Sequence, residues 1–139
     1  NLGVEKLVPV YARSNLPDLH AEIATGRLPT ITYPGDVFFG QMFNRLVLPS
    51  LDERLPIVSK AETALTLAAL ELAKVGLGVA WLPIALVAEP LNDKKLADLS
   101  DILGTAEIEI VASRLKGAKS QSETMVWDRL RAMVRHTGR

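Results

Sequence analysis

The chain has 139 residues, the length of one domain rather than of a multidomain enzyme. Lys plus Arg and Asp plus Glu number 16 each, so the formal net charge is +0 and the basic footprint of a nucleic-acid binder is absent. Cysteine is missing and histidine occurs only 2 times, which removes disulfides and thiolate chemistry and argues against a multi-histidine metal site.

Hydrophobic residues make up 48% of the chain, enough for a real core. No apolar run approaches the ~20 residues of a membrane span. The first residues lack a cationic start, an apolar run and a small-residue cleavage site, so no signal peptide is expected. These features predict a single soluble, cytoplasmic domain without a membrane partner.

Lys6 to Ala12 (KLVPVYA) reads as a strand, with Pro9 placing it at an edge or in a crossing segment. Pro17-Asp18 opens a short helix with Leu19, Ile23 and Ala24 on one face, ended by Gly26. Pro29 to Tyr33 is a strand. Pro34-Gly35-Asp36 follows as a turn, with Asp36 a candidate N-cap. Val37 to Leu48 reads as a helix with Phe39, Met42, Phe43 and Leu46 at helical spacing, stopped by Pro49.

Leu55 to Ser59 is the next strand. Ser59-Lys60-Ala61-Glu62 has the S-x-x-E form of a capping box, predicting a mostly buried helix to about Val75. Its polar members, Thr63, Thr66, Glu71 and Lys74, fall in one arc. Gly76 is a natural C′ residue. Val79 to Leu82 reads as a buried strand, Pro83 begins a short helix ending near Pro90, and Asn92 to Lys95 is a polar turn. Ala106 to Ala112 alternates as a strand. Ser120 to Glu123 is a second capping box. It opens a last helix with Val126, Leu130, Met133 and Val134 inward and Arg129, Arg131 and Arg135 in water. Alternating strands and helices predict a mostly parallel sheet flanked by helices.

Few residues announce chemistry. Gly76-Leu77-Gly78 reads either as a phosphate cradle or as a helix stop. It closes a helix and opens a strand, the reverse of a dinucleotide fingerprint, which favours the stop. His20 and His136 lie apart without a G-x-S-x-G nucleophile, and Asp52-Glu53 and Asp98 form no acid/base pair, so no catalytic residue is assigned. Trp81 and Trp127 fit core or interface positions, and Met42, Met125 and Met133 fit helical core positions. In open α/β sheets, ligands gather beyond the carboxyl ends of strands, where helix N-termini offer free N–H groups to anions. Two segments answer that description: Tyr33, Gly35 and Asp36, and Glu62 with Thr63. Asp36, Ser59 and Glu62 also read as plain caps.

One stretch carries a family resemblance. Leu72 to Pro83 (LAKVGLGVAWLP) resembles the effector-binding domain of LysR-type transcriptional regulators, where an apolar helix ends in a G-x-G turn, a short strand and a proline. Ile84 to Glu89, Leu91 to Leu96, Glu107 to Ala112 and Ser120 to Glu123 continue the pattern in order, and Leu2 to Val10 resembles the segment that crosses between subdomains. The resemblance spans nearly the whole chain. It implies a periplasmic-binding-protein-like fold, with two α/β subdomains joined by crossing strands and a small ligand in the cleft. On that basis, residues 1–12 are a crossing strand, 13–107 the second subdomain, and 108–139 the returning strand and last helix of the first. The effector domain would be partial.

The resemblance also implies an effector site on Tyr33, Pro34, Gly35 and Asp36 together with Ala61, Glu62 and Thr63. The ligand class is a small, often anionic effector. Self-association would use helices such as Thr63–Val75 and Val37–Leu48, and DNA would be reached only through a helix-turn-helix domain outside this chain. No cofactor, metal or enzymatic activity is implied. A stand-alone solute-binding module and a small α/β enzyme are the competing readings.

Overall fold

The computed structural model describes residues 1–137, and divides them into two compact units: Lys6–Glu107, and Asn1–Glu5 with the segment from Ile108 onward.

In the larger unit, β1 (Gly3–Ala12) contributes its apolar length, followed by α1 (Leu16–Ala24), β2 (Leu28–Thr32) and α2 (Phe38–Met42). β3 (Ile57–Glu62), α3 (Thr66–Lys74), β4 (Ala80–Pro83), α4 (Ile84–Asn92), β5 (Leu96–Asp98) and α5 (Ser100–Leu103) complete it. β2 and β3 pair in parallel, and a parallel bridge joins Thr30 to Val79 just before β4. β4 and β5 both run antiparallel to β1. The strands therefore form one sheet in the order β4-β1-β5 and a two-stranded sheet β2-β3, linked by the Thr30–Val79 bridge. Pairing is parallel between β2 and β3 and antiparallel on both sides of the crossing strand, so the strands are not mostly parallel as expected.

Pro9 is in the interior of the sheet and not at an edge. It is tolerated because the β5 ladder ends at Val10–Asp98, and beyond it the Pro9 carbonyl accepts from the Leu99 N–H at 2.9 Å. The missing N–H therefore falls past the last rung, where it orphans no acceptor. Val8, Val10, Ile31, Leu70, Ala73, Leu82 and Val87 form the core. Trp81, which alternates with Ala80 and Leu82 along β4, is 1% exposed, with its ring edge-on to Phe43 at 5.4 Å.

The helix stop is borne out. Gly76 has φ +77°, its N–H donates to Ala73 O, and the Leu77 N–H donates to Leu72 O, the paired bonds of a Schellman motif. Gly78 lies against the Thr30 backbone, 3.0 Å from where a Cβ would stand. α3 is less buried than its composition suggests. Ala69, Leu70 and Ala73 face the core, while Leu65 and Leu67 are 67% and 64% exposed. Only one stripe of the helix, with Leu72 at its margin, meets the sheet, and Leu65 and Leu67 point away from it.

The 37–48 helix also departs from its expected form. After α2 the backbone widens into a π-helical turn over Phe43–Val47 and tightens again at Leu48–Ser50. The added residue per turn shifts the buried register. Phe43 and Val47 are buried, and Leu46 is turned out.

In the smaller unit, β6 (Ala106–Ile110) pairs with β1, the Leu2 N–H donates to Ile110 O at 2.6 Å, and α6 spans Gln121–Thr137. The Ser120 capping box forms as expected. The Ser120 N–H donates to the Glu123 carboxylate at 2.9 Å, and the Glu123 N–H to Ser120 Oγ at 3.1 Å. The inward stripe is a correction: Leu130 and Val134 are half-buried, but Val126 and Met133 are exposed, because the described residues of this unit supply no layer to cover them. Trp127 is half-buried, with the Arg114 guanidinium 4.8 Å above its ring.

Candidate functional site

Parallel pairing of β2 and β3 brings their carboxyl ends together. Thr32 faces Glu62, and the ladder continues one step to a Thr63 N–H donating to Thr32 O at 3.0 Å. The two predicted segments, Tyr33–Asp36 and Ala61–Thr63, thus leave the same end of the sheet side by side. The hydroxyls of Thr32 and Ser59 share a hydrogen bond at 2.7 Å across this pair. Sequence reading missed that pair; its only signal is two hydroxyl residues on strands whose register was not yet known.

Ser59-Lys60-Ala61-Glu62 is not a capping box. All four residues lie in β3, because pairing with β2 runs through Glu62 and overrides the local S-x-x-E preference. The turn is made instead by Thr63, whose Oγ1 accepts from the Leu65 N–H at 3.1 Å. α3 then starts at Thr66 behind Leu65, which has no oxygen to cap it. The first N–H groups of this nine-residue helix have no intrahelical acceptor, and they open beside Thr63.

Asp36 is exposed and does not cap α2, whose N-cap is Val37 with no side-chain bond. The Val37 N–H donates to Pro34 O instead, closing the Pro34–Val37 turn. Tyr33 is 7% exposed, its hydroxyl donates to Trp81 O at 3.0 Å, and its ring lies 5.8 Å from Phe39. Burial raises the Tyr33 pKa above the usual tyrosine value. Its side chain is therefore committed to the core, and only its backbone belongs to the site face. Pro34 and Ala61 are half-buried, Gly35 and Glu62 are exposed, and Thr63 is half-buried.

The face so formed offers backbone N–H groups, hydroxyls and one carboxylate on each segment, Asp36 and Glu62. Such a surface suits recognition by hydrogen bonds rather than covalent chemistry. Among the described residues, no three His, Asp or Glu side chains are placed to hold a metal ion. His20 is exposed, and His136, also exposed, bonds to Ala132 O within its own helix.

No family model matches the chain, and no curated protein matches it by sequence. Solved structures do. The apo regulatory domain of HypT from Salmonella typhimurium superposes with a TM-score of 0.80 at 21% identity, over 97% of this chain and 64% of that one. Full-length HypT, a hypochlorite-specific LysR-type transcriptional regulator, gives 0.80 at 21% identity, over 96% of this chain and 45% of that one. DarR from Vibrio fischeri in complex with DNA gives 0.72 at 23% identity, over 93% and 43%. The chain has the fold of LysR-type regulatory domains, a periplasmic-binding-protein-like α/β architecture. It spans under two thirds of the HypT regulatory domain. No helix of the described residues is long and apolar enough to cross a membrane.

Proposed function

We propose that this chain is the effector-sensing part of a LysR-type transcriptional regulator. It binds a small anionic molecule at the carboxyl ends of β2 and β3, through Tyr33, Pro34, Gly35, Asp36, Ala61, Glu62 and Thr63. The regulatory-domain fold over 97% of the chain carries this reading. The uncapped start of α3 supports the anionic class, since free N–H groups and the helix dipole favour negative charge. A second structure of the HypT regulatory domain holds a bromide ion, which agrees with that class.

In this reading, residues 1–12 cross from a first subdomain, 13–107 form the second, and 108–139 return to the first. The open apolar stripe of α6 suits a helix whose own subdomain is only partly contained in this chain. DNA contact belongs to a helix-turn-helix outside the chain, and the regulator works in the cytoplasm as an oligomer without catalysing a reaction. The effector acts by favouring one arrangement of subdomains over another.

The test is the native gene product isolated at its full length from its source cells. It should retard DNA from the region upstream of its own gene, and small carboxylates should change that retardation. A product with no DNA-binding segment, or one that leaves DNA unretarded, would overturn the reading in favour of an independent solute-binding module.

A further inference from the structure

The larger unit holds a second polar recess, which shares no lining residue with the face just described. It lies near Pro29 at the start of β2 and has a volume of about 690 Å³. Charged residues of both signs line it: Asp18 and Glu22 from α1, Arg27 after it, and Lys60 from β3. Tyr11, 4% exposed, backs the recess and donates its hydroxyl to Gly76 O at 2.8 Å.

Two observations show that these charges converge. Asp18 and Glu22 stand four residues apart on one helix face. Burial raises the Tyr11 pKa first, and the carboxylates of Asp18 and Glu22 raise it further, so both act on the same interior atom. On the opposite strand, Lys60 is the extra residue of a β-bulge. β2 advances from Thr30 to Ile31 while β3 advances from Ser59 to Ala61. A bulge breaks the regular alternation and can re-aim a side chain, and Lys60 lines the recess.

The charges are only partly matched within the protein. Glu22 approaches Arg27 at 3.8 Å, while Asp18 and Lys60 have no ion-pair partner among the described residues. A simple anion would meet the Asp18 and Glu22 carboxylates, and a simple cation would meet Lys60 and Arg27. One small frame carrying both an ammonium and a carboxylate satisfies both sets. The volume lies within the 300–1,000 Å³ typical of small-molecule sites. We infer that this recess binds a zwitterionic amino carboxylate, its ammonium toward Asp18 and Glu22 and its carboxylate toward Lys60. The inference does not depend on the effector face, with which the recess shares no lining residue although Lys60 adjoins Ala61 in β3.

Amide spectra of the isotope-labelled 139-residue chain would test this. L-alanine, L-glutamate, L-lysine and L-phenylalanine would be titrated separately, with ethylamine and propionate as one-charge controls. At least one amino acid should give saturable shifts at Asn15, Gly76 and Leu77, with the one-charge controls about tenfold weaker. Asp18→Asn and Lys60→Gln, both at exposed side chains, should each weaken that binding by about tenfold. The inference fails if no amino acid gives a saturable shift, if ethylamine or propionate binds as well, or if both variants bind as the parent does. Shifts confined to Thr63 and Thr66 would overturn it as well, while leaving the effector face in place.

Discussion

Gly40 in α2 lies directly against the Pro34 carbonyl: a Cβ built on Gly40 would stand 1.8 Å from Pro34 O and 2.7 Å from its carbon. The contact is backbone against backbone, so no side chain can swing aside. It ties the start of α2 to the loop that leaves β2 at the candidate effector face. Gly40→Ala must push the Pro34–Asp36 turn away or unwind the first turn of α2. The expected cost is about 1–3 kcal/mol or more, as for overpacking in a core. Urea unfolding would show it as a lower midpoint with an unchanged slope. A midpoint equal to the parent's would mean that the turn moves freely and is not held by α2.

Gly76 and Asn15 form a second close pair, with a Gly76 Cβ falling 2.5 Å from Asn15 Nδ2. Two separate penalties meet there. A positive φ of +77° disfavours any side chain by roughly 1–2 kcal/mol. The clash with Asn15 adds to it. Asn15→Ala removes the clash but not the backbone strain. The double variant Gly76→Ala with Asn15→Ala should therefore be more stable than the sum of the single changes allows. Strict additivity in a double-mutant cycle would show that Asn15 is free to move and that only the left-handed backbone matters.

How far the sequence could be read depended on the range of the interaction. The Gly76 stop and the Ser120–Glu123 box are local bonds, and both were legible. Ser59–Glu62 has the same S-x-x-E spelling as Ser120–Glu123 but sits in a strand, because β2 lies alongside it and Thr63 continues that pairing. No tetrapeptide rule sees a partner strand. The bulge at Lys60 is equally non-local, while the π-helical turn that exchanges Leu46 for Val47 and the Pro34 carbonyl that requires a glycine at position 40 are short-range but carry no residue pattern that announces them. At the candidate site, the two segments were chosen from their places after strands. The sheet then brought them side by side and turned the Tyr33 side chain inward.

That inward turn has a consequence at alkaline pH. Folding holds the Tyr33 pKa above its ordinary value, so the native state keeps a proton that the unfolded state releases. The resulting stability is present below about pH 10, the unfolded tyrosine value, and is lost as pH rises above it. Tyr33→Phe removes the proton altogether. It also leaves the Trp81 carbonyl without this donor, costing about 1 kcal/mol at neutral pH. The variant should begin less stable but fall less steeply above pH 10, with Tyr11 supplying part of the remaining slope. Denaturant midpoints across pH 7 to 11 would measure both effects. Parallel curves for the two proteins would show that Tyr33 ionises freely in the native state.

The start of α3 allows its donors to be separated from its fold. Thr66 is the first helical residue, and Leu65 before it is extended, with φ −106° and ψ 120°. Proline is well tolerated at a first helical position, and an extended residue is what it requires before it. Thr66→Pro should therefore fold with a melting temperature close to the parent's while lacking one N–H on the candidate effector face. If anions are held there, a carboxylate that thermally stabilises the parent chain should bind the variant roughly ten times more weakly, the worth of one charge-assisted hydrogen bond. Thr66→Ala restores the N–H while removing the hydroxyl. Recovery of binding in that variant would assign the effect to the backbone donor. Undiminished binding to the proline variant would move the anion off the helix start and leave the Thr32–Ser59 hydroxyl pair and the Pro34–Asp36 turn to hold it.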